Sequence, residues 1–98
     1  MPSTSRDELQ ELQNLGKTSA QWLHACGIHS IAELRRLGAV QAYACVRQRG
    51  FRVTRSLLYA LDAALRDLPS RQLDEQRKAE LDRLYHISQE HNARQLTP

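Results

Sequence analysis

The stretch from Leu12 to Tyr43, LQNLGKTSAQWLHACGIHSIAELRRLGAVQAY, constrains this chain more than any other, because a glycine stands wherever its helical pattern breaks. Ala20, Leu23 and Gly27 recur at the spacing that keeps one helix face apolar, while Gln21 and His24 point away, so a helix is predicted over Thr18 to Cys26. Gly27 ends it, since glycine accepts the left-handed backbone that a helix C-terminus commonly requires, and Ile28 can fold back onto the last turn. Ser30 and Glu33 then read as a capping box, the serine taking the Glu33 amide and the glutamate reaching back to the serine amide. Gly38 supplies the next stop. Two short helices joined by a Gly-Ile turn make a helix-hairpin-helix pattern.

The flanking segments extend the same helical reading. Ser5 and Glu8 form a second capping box, opening a short helix that presents Leu9 and Leu12 on one side. Ala39 to Arg49 carries Val40, Tyr43 and Ala44 on one face, with Arg47 and Arg49 at the end where cations suit the helix dipole. Gly50 stops it, and Thr54 is the expected N-cap of the next helix. That helix, Arg55 to Leu68, has Leu57, Leu58, Leu61, Ala64, Leu65 and Leu68 in one stripe, so it is expected to be the central core element and to end at Pro69. Asp74 caps a last helix bearing Leu81, Leu84, Tyr85 and Ser88, expected to fray beyond His91, where NARQLTP holds little apolar surface. No alternation marks a strand. The expectation is an all-α single domain over residues 1–98 with five to six short helices, a core at about 5–90 and a frayed tail at 91–98.

With 98 residues, 41% hydrophobic and 26% charged, the chain can bury one modest core and nothing larger. Its net charge of +3 is mild, but eight arginines (35, 36, 47, 49, 52, 55, 66 and 71) lie between Arg35 and Arg71 against only Asp62 and Asp67. A positive field is expected there. Cys26 and Cys45 are too few and too far apart in sequence for a disulfide framework or a CxxC metal site, and read as reduced, buried thiols of a cytoplasmic protein. No secretory signal and no membrane-length apolar run is present, so no membrane partner is expected.

Catalytic patterns are lacking. His24, His29, His86 and His91 fall at loop or solvent-facing positions, and His86 and His91 are five apart, off the spacing that puts two imidazoles on one metal. The serines include no GxSxG elbow. The chain is expected to be no enzyme, with no metal, cofactor or small-molecule substrate. Nucleic-acid contact has better support. The turn into the first hairpin helix places Gly16 for close backbone approach and Lys17 for charge, so Gly16, Lys17, Thr18 and Ser19 can receive a DNA phosphate. Arg47, Arg49, Arg52 and Arg55 bracket Gly50 as a second phosphate-contacting patch. Asn14 stands where DNA-binding hairpins carry a second glycine. Trp22 reads as core packing rather than a stacking platform. A packing or protein-docking module, using an exposed helix face to bind a transcription regulator or to self-associate, is the alternative.

Asn14-Leu15-Gly16, Ser19-Ala20, Trp22-Leu23, Gly27-Ile28, Leu37-Gly38-Ala39-Val40 and Ala42-Tyr43, followed by Leu57-Leu58-Tyr59-Ala60-Leu61 and Ala64-Leu65, resemble the C-terminal domain of the TfoX/Sxy competence regulators. The resemblance spans about Leu12 to Leu81. It implies a bacterial, helix-hairpin-helix-like regulatory domain acting near transcriptional control of DNA-uptake genes through a partner regulator. Full-length members of that family also carry an N-terminal α/β domain with no counterpart in these 98 residues, which implies a stand-alone member. Ala63 replaces a glycine common in relatives, and a tryptophan often found after it is absent.

Overall fold

The computed structural model describes residues 8–96, and the side chains of residues 8–90. Six α-helices follow one another among these residues: α1 (Glu8–Glu11), α2 (Lys17–Ala25), α3 (Ile31–Leu37), α4 (Ala39–Gln48), α5 (Arg55–Leu65) and α6 (Glu75–Leu96), with a single 3₁₀ turn at Ser70–Gln72. No strand occurs among the described residues. The all-α reading holds, and the helix boundaries fall within a residue or two of their expected places except at the ends of α5 and α6.

Local chemistry accounts for the boundaries. At the end of α2, the Ile28 amide donates to the Leu23 carbonyl and the Gly27 amide to that of His24, both at 2.9 Å, with Gly27 at φ 83°. This is the reciprocal C-terminal motif that glycine favours, and it folds Ile28 back into the core at 4% exposure. Ser30 Oγ accepts the Glu33 amide at 3.1 Å, as the capping box requires. Its other half differs. Glu33 Oε1 takes the amide of His29 at 2.7 Å, one residue before the serine, while Glu8 Oε1 reaches across from α1 to take the Ile31 amide at 2.5 Å. Ser5, expected to pair with Glu8, lies outside the described residues.

The helix α5 ends three residues earlier than Leu68. Asp67 takes the left-handed conformation at φ 60°, and the Leu68 amide returns to the Ala63 carbonyl at 2.9 Å, so the same C-terminal motif closes the helix before Pro69 can. The last helix instead outruns its expected end. It continues to Leu96, because Ala93, Arg94, Gln95 and Leu96 are good helix formers and a helix once nucleated propagates at little cost. Asp74 caps it as expected, Oδ1 accepting the Arg77 amide at 2.8 Å.

One apolar cluster joins all six helices, with Leu9, Leu23, Leu34, Tyr43, Val46, Leu58, Leu61 and Leu81 its largest fully buried members. Its hub is α4 rather than the leucine-striped α5: α4 packs against α2, α3, α5 and α6. Buried Ala39, Ala42 and Ala44 let neighbours close in on several sides of α4, whereas branched leucines commit a helix to one face. Tyr43, fully buried, meets Tyr85 of α6 edge to face, centroids 5.0 Å apart.

Two polar devices fasten the helices. Asp62 on α5, 5% exposed, accepts Arg66 Nε at 2.9 Å from its own helix and Arg77 Nη2 at 2.8 Å from α6. Burial opposes its charge, but the hydrogen bonds and charge of Arg77, then of Arg66, outweigh that and hold the carboxyl below its ordinary value. The second device is Asn14, at φ 75°. Its Nδ2 donates to the Leu68 carbonyl at 2.7 Å and its Oδ1 accepts the Ser70 amide at 2.8 Å, pinning the turn before α2 to the α5–α6 connection.

Candidate functional site

The residues expected to receive a phosphate lie at the start of α2. Gly16 is the N-cap and makes no side-chain cap, and the amides of Lys17, Thr18 and Ser19 have no acceptor among the described residues. Gly16, Lys17 and Thr18 are exposed and Ser19 half-buried. Gly16 itself is extended at φ −107°, and a Cβ there would touch nothing within 4 Å, so glycine is not demanded by the fold. The left-handed turn that precedes such a helix is made by Asn14 instead.

The arginine patch does not assemble. Arg47 and Arg55 both lie over the Tyr85 ring, their guanidinium carbons 5.8 and 4.7 Å from its centre, and Arg55 also pairs with Asp82 at 3.2 Å. Arg49 donates to the Ala25 carbonyl and so closes the end of α2. Arg47, Arg49 and Arg55 have thus each found an internal acceptor or ring, at two places, the Tyr85 ring and the Ala25 carbonyl. Arg52, exposed like Arg47 and Arg49, comes to the start of α2.

There it helps line a cleft of about 310 Å³, between the first turns of α2 and α5. Trp22, Val53, Leu57 and Ala60 form its apolar wall; Asn14, Ser19, Arg52, Thr54 and Ser56 supply the polar rim. Among the described residues no carboxylate lines it. Trp22 is only half-buried, tilted against Phe51 with ring centroids 5.8 Å apart, so it serves both core and cleft. Reading residues singly missed this cleft, because its two halves are some thirty residues apart in sequence; the one available signal was Trp22, the only aromatic residue of α2 besides His24.

Two pairs thought separate in sequence also meet. The Cys26 thiol, half-buried, lies against Cys45; burial first and then that neighbour push it up to about 11, against the opposing charge of Arg49. His24 Nδ1 and His29 Nδ1 lie 2.7 Å apart with ring centroids 5.0 Å apart and planes at 21°. Those distances put both nitrogens on the line between the centroids, the geometry of an N–H···N bond whose lone pair is already used. No group of three or more His, Cys, Asp or Glu suited to a metal occurs among the described residues.

Fold and cleft together define a small all-helical domain built on a hairpin-like helix pair. The chain belongs to the TfoX C-terminal domain family, whose model matches residues 5–85. Two solved structures from Listeria monocytogenes are similar. An uncharacterized protein in a triclinic crystal form is 33% identical, with a TM-score of 0.75 over 83% of this chain and 92% of that one. A protein of unknown function in a tetragonal form is 36% identical, with a TM-score of 0.74 over 82% and 98%. No curated protein matches. No described helix is long and apolar enough to cross a membrane.

Proposed function

We propose that this chain is a non-enzymatic accessory domain of DNA-linked, competence-regulator-like transcriptional control in the bacterial cytoplasm, and that it works by holding a partner protein in the cleft between α2 and α5. The observation that carries this reading is the cleft itself: an apolar wall left half-open beside Arg52, while Arg47 and Arg55 lie over the Tyr85 ring and Arg49 holds the Ala25 carbonyl. A DNA-backbone reader needs several cations aimed outward together, since each neutralised phosphate contributes to affinity. Here Arg47 and Arg55 are held over the Tyr85 ring and Arg49 at the Ala25 carbonyl, so the expected set is spread rather than aimed outward together.

The free amides of Lys17, Thr18 and Ser19 favour a second reading, direct phosphate contact at the start of α2. A fluorescence-anisotropy titration with generic duplex DNA at two salt concentrations separates the two. Docking predicts binding weaker than the roughly 10⁻⁴ to 10⁻⁶ M of non-specific DNA binders at physiological salt, with a shallow salt dependence. Tight binding whose salt slope is steep, and falls by about one on Lys17→Glu, would overturn it.

A further inference from the structure

We infer that the segment this cleft accepts is acidic and amphipathic: a carboxylate-bearing residue beside one large aliphatic side chain of a partner protein. This rests on the docking reading above and deepens it. The charge lining the cleft is of one sign. Arg52 lines it with no acceptor among the described residues, and among those residues its lining holds neither Asp nor Glu. A partner carboxylate is the group that satisfies that arginine, and a basic segment would meet repulsion with nothing to offset it.

The apolar half sets the second requirement. Trp22, Val53 and Leu57 offer a mostly apolar wall, and about 310 Å³ sits at the small end of ligand-binding clefts, room for one bulky side chain and the chain on either side of it. The contrast with another depression, about 340 Å³ near the start of α6, is informative. Its cations Arg66 and Arg77 are neutralised by Asp62 and Glu80, and Asp74 and Glu80 line it too. That depression selects no charge; the α2–α5 cleft does.

The test uses the full chain, labelled with nitrogen-15, and two short peptides with blocked termini and the same leucines, one carrying glutamates beside them and the other lysines. The glutamate peptide is expected to shift the amides of Ser19 and residues 52–57 and the Trp22 indole, with the lysine peptide at least about tenfold weaker. Arg52→Glu should reverse that order, and Ala60→Leu, which narrows the cleft, should abolish binding of both while the spectrum stays that of a folded domain. Equal binding of the two peptides, unmoved by Arg52→Glu, overturns the charge requirement and leaves the docking reading standing. If neither peptide binds and duplex DNA shifts these amides instead, both fall. Shifts at these residues that grow with protein concentration alone mean that a second copy fills the cleft, and overturn the inference equally.

Discussion

Asn14 occupies a position where glycine is expected, and its backbone explains why it can. Asparagine is among the few residues that enter the left-handed region at small cost, and its amide group then bonds Leu68 and Ser70 from that pose. Asn14→Gly keeps the backbone but loses both bonds; Asn14→Ala loses the bonds and strains the turn. Urea denaturation should show both variants less stable, Asn14→Ala by about 1–3 kcal/mol and Asn14→Gly by about 1 kcal/mol less than that. Equal losses would mean that the left-handed backbone contributes nothing. Cys26 carries a second residue-scale expectation. With its thiol pushed up to about 11, chiefly by burial, little thiolate exists near pH 8, so iodoacetamide should modify it on the order of 10²-fold more slowly than an ordinary exposed cysteine. Peptide mapping after timed alkylation reads this directly, and a fast-reacting Cys26 would contradict the packing at the end of α2.

At the scale of elements, what the sequence made legible was whatever is local. Caps at Ser30, Thr54 and Asp74 and the stop at Gly27 sit where neighbouring residues dictate them. Partnerships between elements were not legible in the same way, because nothing in the spacing of Arg47, Arg49 and Arg55 says that Tyr85, some thirty or more residues on, or the Ala25 carbonyl will claim them. Asp62 is the clearest instance. Its i, i+4 relation to Arg66 can be read from sequence, but the α6 arginine that makes it a buried link cannot. Asp62→Asn leaves Arg77 short of a charge partner and should cost about 2–3 kcal/mol at neutral pH, below the range of a fully buried pair because Arg66 faces solvent. The sign of the pH effect follows from the lowered carboxyl. The folded form titrates below the unfolded value of about 3.9, so the stabilisation is complete above that pH and is lost as pH falls through the folded value. Wild-type stability should therefore drop below about pH 4 more steeply than that of Asp62→Asn; parallel profiles would remove Asp62 from the account. Glu33 acts in the same direction, held low first by the His29 amide, but from the surface.

Over the whole molecule, hydrophobic periodicity identified five to six helices and a single core yet misplaced the centre, because a stripe of leucines is conspicuous and a run of buried alanines is not. The hub position of α4 has a consequence for how the domain melts. Trp22 of α2 reports on the cleft side through Phe51 and Leu57, while α6 supplies the largest share of the helix. These two regions do not depend on each other through α5 alone: Tyr43 of α4 joins α6 through Tyr85, and α4 also packs on α2. An α6 held only by the Asp62–Arg77 link could detach first and leave a five-helix remnant. With the α4 contact as well, removal of α6 uncovers Tyr43 and the remnant has no stable core, so unfolding should be all-or-none as for most small domains. Trp22 fluorescence and far-UV ellipticity should then give one urea midpoint, with a slope of about 1–3 kcal/mol per molar. The discriminating variant is Tyr85→Ala, which breaks the α4–α6 contact and leaves Asp62–Arg77 in place. It should lower both midpoints together by the same amount. A fall in ellipticity that precedes the fluorescence change in the wild type would show that α6 is an appendage and that the core is closed by α2 to α5 without it.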